Sequence, residues 1–193
     1  MESTGRKKDS DKLTVGDAVA GMPFGRDHFF APESPAKWWY FKILGLKIYC
    51  YNFDWRKRAL FTHDLHHVVT GYPCTMKGEM QVATWEFAAG RFPNIFSNLF
   101  CLPLVAAGTL LIPGKTFKAF QRGQQSRSLF AHHLGRDVRH WPLEKLIALS
   151  VRHQTKRPLV FQILAFAALS VLSFFLAALP FLVIACLLLR LWN

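Results

Sequence analysis

The chain is 193 residues long, 51% hydrophobic and strongly basic, with a formal net charge of +12 at pH 7. That length holds one domain plus an appendage, and the charge calls for an acidic partner, either nucleic acid or anionic lipid head groups. With no nucleic-acid-binding motif and an almost purely apolar C-terminal end, the sequence excludes nucleic acid and points to an anionic membrane.

Cysteine usage adds a further exclusion. Cys50, Cys74, Cys101 and Cys186 are scattered without any CxxC spacing. A disulfide framework or zinc ribbon is therefore not expected, and a reducing compartment is.

Taken in order, residues 1–16 are charged, small and polar and cannot bury a face, which predicts disorder. They carry no signal-peptide core, and their acidic residues argue against a mitochondrial transit peptide. Glycine and proline are frequent up to residue 36, so a loop or short helix is expected there, and residues 1–30 as a whole read as a disordered or loosely ordered basic tail. Residues 37–53 interleave tryptophan, tyrosine and lysine with aliphatics, the mixture favoured at a membrane–water interface. The three lysines share no helical face, so an aromatic packing segment is the other reading.

A helix is predicted over 54–70, capped by Asn52 or Asp54 and stopped by Gly71 and Pro73. Its basic first turn, Arg56, Lys57 and Arg58, opposes the helix dipole. After a turn at residues 72–75, with Thr75 as cap, a second helix runs to about Ala89 and ends at Gly90 and Pro93. The pair forms a helix hairpin dense in chemistry: His63, Asp64, His66, His67 and Glu79. At about 100° per residue, His63 and His67 lie one above the other on one face, and Asp64 is within about 60° of His67. The returning helix brings Glu79 alongside. Two imidazoles and two carboxylates suit a borderline or hard divalent ion.

Residues 96–113 carry no charge, but Pro103 and Gly108 interrupt them, so a buried helix or lipid-facing lip is expected in place of a span. Residues 115–140 read as a basic, histidine-bearing helix whose His132, His133 and His140 belong to a solvated or lipid-facing surface. Arg127 within it is a candidate for gripping a substrate carboxylate with its forked guanidinium. Trp141, Pro142 and the residues to Ser150 give a last short helix. Residues 159–189 are free of charge and divided by Pro180: one kinked span or a re-entrant hairpin. Arg152, Lys156 and Arg157 flank the start, placing the main domain on the cytoplasmic side. The expected architecture is all-α: a compact helical domain at 31–150 with a metal-binding helix hairpin, and a C-terminal hydrophobic membrane anchor at 151–193.

The pattern His63-Asp64-x-x-His67, with Glu79 twelve residues on and Gly71, Pro73 and Gly78 between, closely resembles the signature of the coenzyme Q biosynthesis protein 4 family. The likeness extends in outline over residues 50–150, through Gly123, Arg127, Leu129 and the Pro142–Leu146 block. It implies a metal held by His63, Asp64, His67 and Glu79, with zinc first and iron or manganese as alternatives. It implies an apolar cavity for isoprenoid tails around residues 96–113. It implies membrane-bound ubiquinone biosynthesis, by oxidative decarboxylation of a polyprenylated hydroxybenzoate.

In that chemistry His66 is the candidate proton relay and Arg127 the carboxylate clamp. The address is the bacterial inner membrane, or the matrix side of the mitochondrial inner membrane. The expected partners are the prenylated precursor or another isoprenoid lipid, anionic membrane, other quinone-pathway enzymes and a second copy of the chain. The alternative is a non-catalytic isoprenoid-binding scaffold that organises those enzymes around a structural metal. A diiron desaturase or hydroxylase is a third reading. It is weakened because only one histidine box is present and His132-His133 lacks the spacing.

Overall fold

The computed structural model describes residues 13–22, 38–43, 46–51, 53–90, 95–152 and 157–192. Helices carry the fold: α1 (Val15–Ala20), α2 (Asp54–Thr70), α3 (Met76–Ala89), α4 (Ile95–Leu111), α5 (Pro113–Gln124), α6 (Leu143–Ser150) and α7 (Leu159–Trp192). The all-helical class follows, with one addition. The 37–53 stretch, read as an interfacial or aromatic segment, contains two antiparallel paired strands, β1 (Trp38–Ile43) and β2 (Leu46–Tyr51). Aromatic and β-branched residues suit a pleated strand. Trp38 stands opposite Tyr51, and their rings meet edge to face at 5.8 Å. The disorder expected at residues 1–12, the Asn52 cap and the Pro93 stop lie outside the described residues.

Residues 13–22 lie inside the stretch expected to be a loose tail, yet they are folded. Thr14 and Asp17 close a capping box at the start of α1. The Val15 N–H donates to Trp141 O at 3.0 Å and the Leu143 N–H to Leu13 O at 2.8 Å. This pins α1 to α6, and Val15 and Val19 are fully buried. Their apolar side chains against the core overcome the polar composition that suggested disorder. The core gathers Val19, Leu65, Trp85, Ala119, Leu129 and Leu146 from α1, α2, α3, α5, the 3-10 turn Leu129–Ala131 and α6. Helices α3 and α5 pack at their closest where Gly123 meets α3: a Cβ there would lie 2.5 Å from Trp85 O, so only glycine permits this approach.

The long basic helix expected over 115–140 ends at Gln124. Beyond it the backbone leaves the helix to bind its neighbours. Ser126 bridges to Val151, the Arg127 N–H donates to Ser150 O at 2.8 Å, and the Ser128 N–H donates to Ala89 O at 3.1 Å. Two 3-10 turns follow, Leu129–Ala131 capped by the Ser128 hydroxyl and Arg136–His140. Serine and glycine here serve turns, which the spacing of apolar and basic residues had masked.

Helix α7 runs unbroken through Pro180, so no re-entrant hairpin forms. Its Leu159–Leu179 segment is long and apolar enough to cross a membrane. Its pattern is inverted relative to a helix on a water-soluble domain. Gln162, Ser170 and Ser173 are buried, whereas Val160, Phe161, Leu164, Val171 and Phe175 are exposed. The buried polar groups bond inward: Gln121 Nε2 donates to Gln162 Oε1 at 2.8 Å, and Ser170 Oγ meets Thr109 Oγ1 of α4 at 3.2 Å. In the 96–113 stretch, expected as a buried helix or lip, Ile95–Leu111 forms the single helix α4 with Pro103 inside it, packed along α7.

Candidate metal centre

Helices α2 and α3 place the chemistry, and the turn between them sets its register. Gly71 ends α2 in the left-handed region, φ 70°, and its N–H returns to His67 O at 2.8 Å. Arg122 of α5 completes that end: its guanidinium donates to Thr70 O at 2.6 Å, a cation on the negative pole of the helix. Thr75 then caps α3, accepting from the Gly78 N–H at 3.3 Å. The turn is so tight that a Cβ at Gly78 would sit 1.7 Å from the Pro73 carbonyl oxygen. Glu79, the next residue, is thereby held against α2.

Three ligand atoms converge there. Nε2 of His63 lies 3.1 Å from Glu79 Oε2, Nε2 of His67 lies 3.2 Å from Glu79 Oε1, and the two imidazole Nε2 atoms are 3.3 Å apart. Their other ring nitrogens are committed. His67 Nδ1 donates to Tyr72 O at 2.9 Å, which leaves its Nε2 a lone pair. His63 Nδ1 donates to Glu86 Oε1 at 2.9 Å. Two imidazole lone pairs and a carboxylate facing one another repel unless a cation sits between them. For ligands at about 2.0–2.1 Å in a tetrahedron, donor atoms would be roughly 3.3 Å apart. The imidazole separation fits, and one ligand atom from each residue lies within 4.8 Å of the others, so His63, His67 and Glu79 could hold a divalent ion.

Without a metal, a proton on His63 takes that place. Burial opposes its charged form, but Glu86 and Glu79 outweigh burial and hold the His63 pKa well above its ordinary value. Reciprocally, burial pushes the Glu79 carboxyl up, while the neighbouring His63 and His67 imidazoles outweigh it and bring the carboxyl to about 2. Glu86 is also opposed by burial and drawn down to about 2 by His63 and His66.

Glu86 is the residue the motif did not supply. It is fully buried, and one oxygen serves two histidines: His63 Nδ1 at 2.9 Å and His66 Nδ1 at 2.6 Å. Its signal was present in the sequence, since Glu79 and Glu86 are two helical turns apart on one face of α3. A carboxylate between Trp85 and Phe87 needs a buried partner to stay charged.

His66, expected to relay protons, has another task. It is fully buried, stacked near Trp85 and Phe130 at 5.0 and 4.8 Å between ring centroids. Its Nε2 accepts the Leu129 N–H at 2.9 Å, so its proton is on Nδ1, facing Glu86. Burial lowers its pKa although it shares a carboxylate oxygen with His63. A second proton on Nε2 would confront the Leu129 N–H. Both ring nitrogens are spoken for, which leaves none to meet a substrate.

The other expected residues are less central. Asp64 is not in the converging group, yet it lies on the same side. Burial first, then the charges of Glu79 and Asp64, raise the Cys74 thiol to about 11. The Arg127 side chain is exposed, with its backbone tied to Ser150, and it is not part of the cluster. His132, His133 and His140 join no metal-ligating group among the described residues. No known protein family, no curated protein and no solved structure matches the chain.

Proposed function

We propose that this chain is a membrane-attached metalloprotein of quinone biosynthesis, acting in the oxidative decarboxylation of a polyprenylated hydroxybenzoate. The observation that carries the reading is the cluster of His63, His67 and Glu79, whose lone pairs are fixed toward one point by Tyr72 O and Glu86. The resemblance of His63-Asp64-x-x-His67 and Glu79 to the coenzyme Q biosynthesis protein 4 signature supplies the pathway, and the outward apolar surface of α7 supplies the membrane.

His63, His67 and Glu79 would hold the ion, with Asp64 as the fourth candidate; the nitrogen and oxygen donors suit zinc, iron or manganese. When bound, such an ion supplies Lewis-acid polarisation of the ring carboxylate and phenolate oxygens. The chain's own groups do the rest. Glu86 and Tyr72 O keep Nδ1 of His63 and His67 protonated and Nε2 free to ligate. His66 anchors Glu86 to the Leu129 backbone. The Glu79 side chain is 30% exposed against 1% for His67, so substrate approaches from the Glu79 side. Exchange of a ring carboxylate for hydroxyl is a two-electron oxidation, and an external oxidant such as dioxygen is part of the proposal.

Elemental mass spectrometry on detergent-purified wild type, His67→Ala and Glu79→Gln tests this. About one metal per chain, lost in both variants while helical circular dichroism persists, is expected. Turnover of prenylated hydroxybenzoates by the metal-loaded wild type completes the case. Metal without turnover would leave the scaffold reading, and no metal after reconstitution with zinc, iron and manganese would sink the metal-centred function.

A further inference from the structure

A second site lies away from the cluster, where α3 and α5 face the first turns of α7. Phe87 and Ala88 of α3, Phe120 of α5 and Ala165, Leu169 and Leu172 of α7 line a groove of about 430 Å³. That size falls within the roughly 300–1,000 Å³ of small-molecule sites. Arg152 and Arg157 also line it, and both are exposed.

The groove has two ends of different chemistry. Ala165, Leu169 and Leu172 follow one stripe of α7, about 10 Å long at the helical rise. The two arginines precede Leu159, the first residue of the apolar segment. Their backbones are fixed: the Arg152 N–H donates to Gln125 O at 3.2 Å, and Arg157 O accepts from Gln162 Nε2 at 2.6 Å. Gln162 is itself held by Gln121 of α5. The cationic end is thus tied to α5 on one side and to α7 on the other, while the apolar end runs along the candidate span.

We propose that this groove binds one bilayer phospholipid with an anionic head group, its phosphoester on Arg152 and Arg157 and an acyl chain against Ala165, Leu169 and Leu172. The occupant follows from charge complementarity and from the wall the groove shares with α7. Guanidinium groups pair with phosphate oxygens in a fork, and basic residues at the end of a span select anionic lipids. The inference rests on the membrane reading of α7 and is independent of the metal.

The full chain is reconstituted into nanodiscs of phosphatidylcholine and phosphatidylglycerol, gently delipidated, and the retained lipid identified by native mass spectrometry. Wild type is expected to retain one phosphatidylglycerol per chain with about tenfold preference over phosphatidylcholine. Arg152→Gln combined with Arg157→Gln, and separately the groove-filling Ala165→Phe, should abolish that preference. Lys115→Gln combined with Lys118→Gln removes the same charge from exposed positions of α5 outside the groove and should retain it. Preference that survives the groove variants, or that falls equally in the lysine variant, overturns the site in favour of diffuse charge. Failure of wild type to insert at all overturns the membrane reading and the groove with it, whereas insertion without selectivity overturns the groove alone.

Discussion

Replacing Glu86 with glutamine isolates the residue that orients the cluster. The side chain is isosteric and fully buried, so its packing is little changed. What changes is the acceptor for His63 Nδ1 and His66 Nδ1. A glutamine oxygen can accept both bonds, but without charge, and its amide places two donors where Glu86 Oε2 has no partner among the described residues. A carboxyl held at about 2 against an ordinary 4.5 gains roughly 3 kcal/mol of preference for the ionised form. Part of this returns when His63 gives up its proton, so the metal-free variant should lose about 1–3 kcal/mol of stability.

For the metal, partners of ligating histidines are worth about 10–100-fold in affinity, or roughly 1.4–2.7 kcal/mol. Competition against a chromophoric chelator at pH 7.5 should therefore show Glu86→Gln weaker by that factor, with one metal per chain still bound at saturation. Glu79→Gln, which removes a ligand, should lose stoichiometric binding. A folded Glu86→Gln variant with affinity within about twofold of wild type would refute the argument that Glu86 fixes the His63 lone pair.

Four further outcomes follow from the same geometry. Gly78→Ala should open the turn, because the added Cβ meets Pro73 O at 1.7 Å; metal binding is lost and thermal stability falls by at least about 2 kcal/mol, read by calorimetry and metal content. Metal uptake should release about one proton, since His63 is protonated in the metal-free site and its raised pKa extends this release above neutral pH; calorimetric titration in buffers of different ionisation enthalpy measures it. For the metal-free protein the signs oppose. The lowered Glu79 and Glu86 carboxyls contribute stability that is present above about pH 4.5 and lost as pH falls toward 2, whereas the raised His63 contributes stability that is present below about pH 6.5 and lost as pH rises through its folded pKa. Denaturation midpoints across pH should trace both slopes. Asp64→Asn should weaken metal binding without unfolding the chain, because Asp64 already acts on the same thiol as Glu79; unchanged affinity would confine the ligands to the three converging residues.

Much of the site was legible because it is local. His63, His67, Gly71, Thr75 and Glu79 lie in one short helix hairpin, where helical spacing, capping and stop residues determine what meets what. The structure keeps those boundaries: α2 over Asp54–Thr70, α3 ending at Ala89 and capped at its start by Thr75. The roles that escaped depend on distant chain. His66 reads as a free imidazole until the Leu129 backbone arrives from 63 residues away. The role of Glu86 shows only where His63 and His66 meet its carboxylate, 23 and 20 residues away in the chain. The 115–140 stretch kept a helical pattern of charges, yet its backbone bonds to Ala89 and Ser150 were worth more than continuing the helix. The hairpin at 38–51 was missed because its aromatic residues suit strand and interface equally.

These distant contacts also join the two proposed sites through one segment. From the cluster, Glu86 reaches His66, and His66 holds the Leu129 N–H. One residue back, the Ser128 N–H donates to Ala89 O, beside Ala88 in the groove wall. Three residues back from Leu129, Ser126 pairs with Val151, and the residue after Val151, Arg152, binds Gln125 O and lines the cationic end. Residues 125–129 thus position a buried histidine at one end and the exposed, groove-lining Arg152 at the other. A metal centre built on α2 and α3 alone would have its ligands but no fixed place against a membrane. Through this segment the fold ties the cluster to the start of α7, whose Leu159–Leu179 segment is long and apolar enough to cross a membrane. The proposed function draws on that link, because a substrate with a polar ring and a prenyl tail would have to meet the cluster and the bilayer at once.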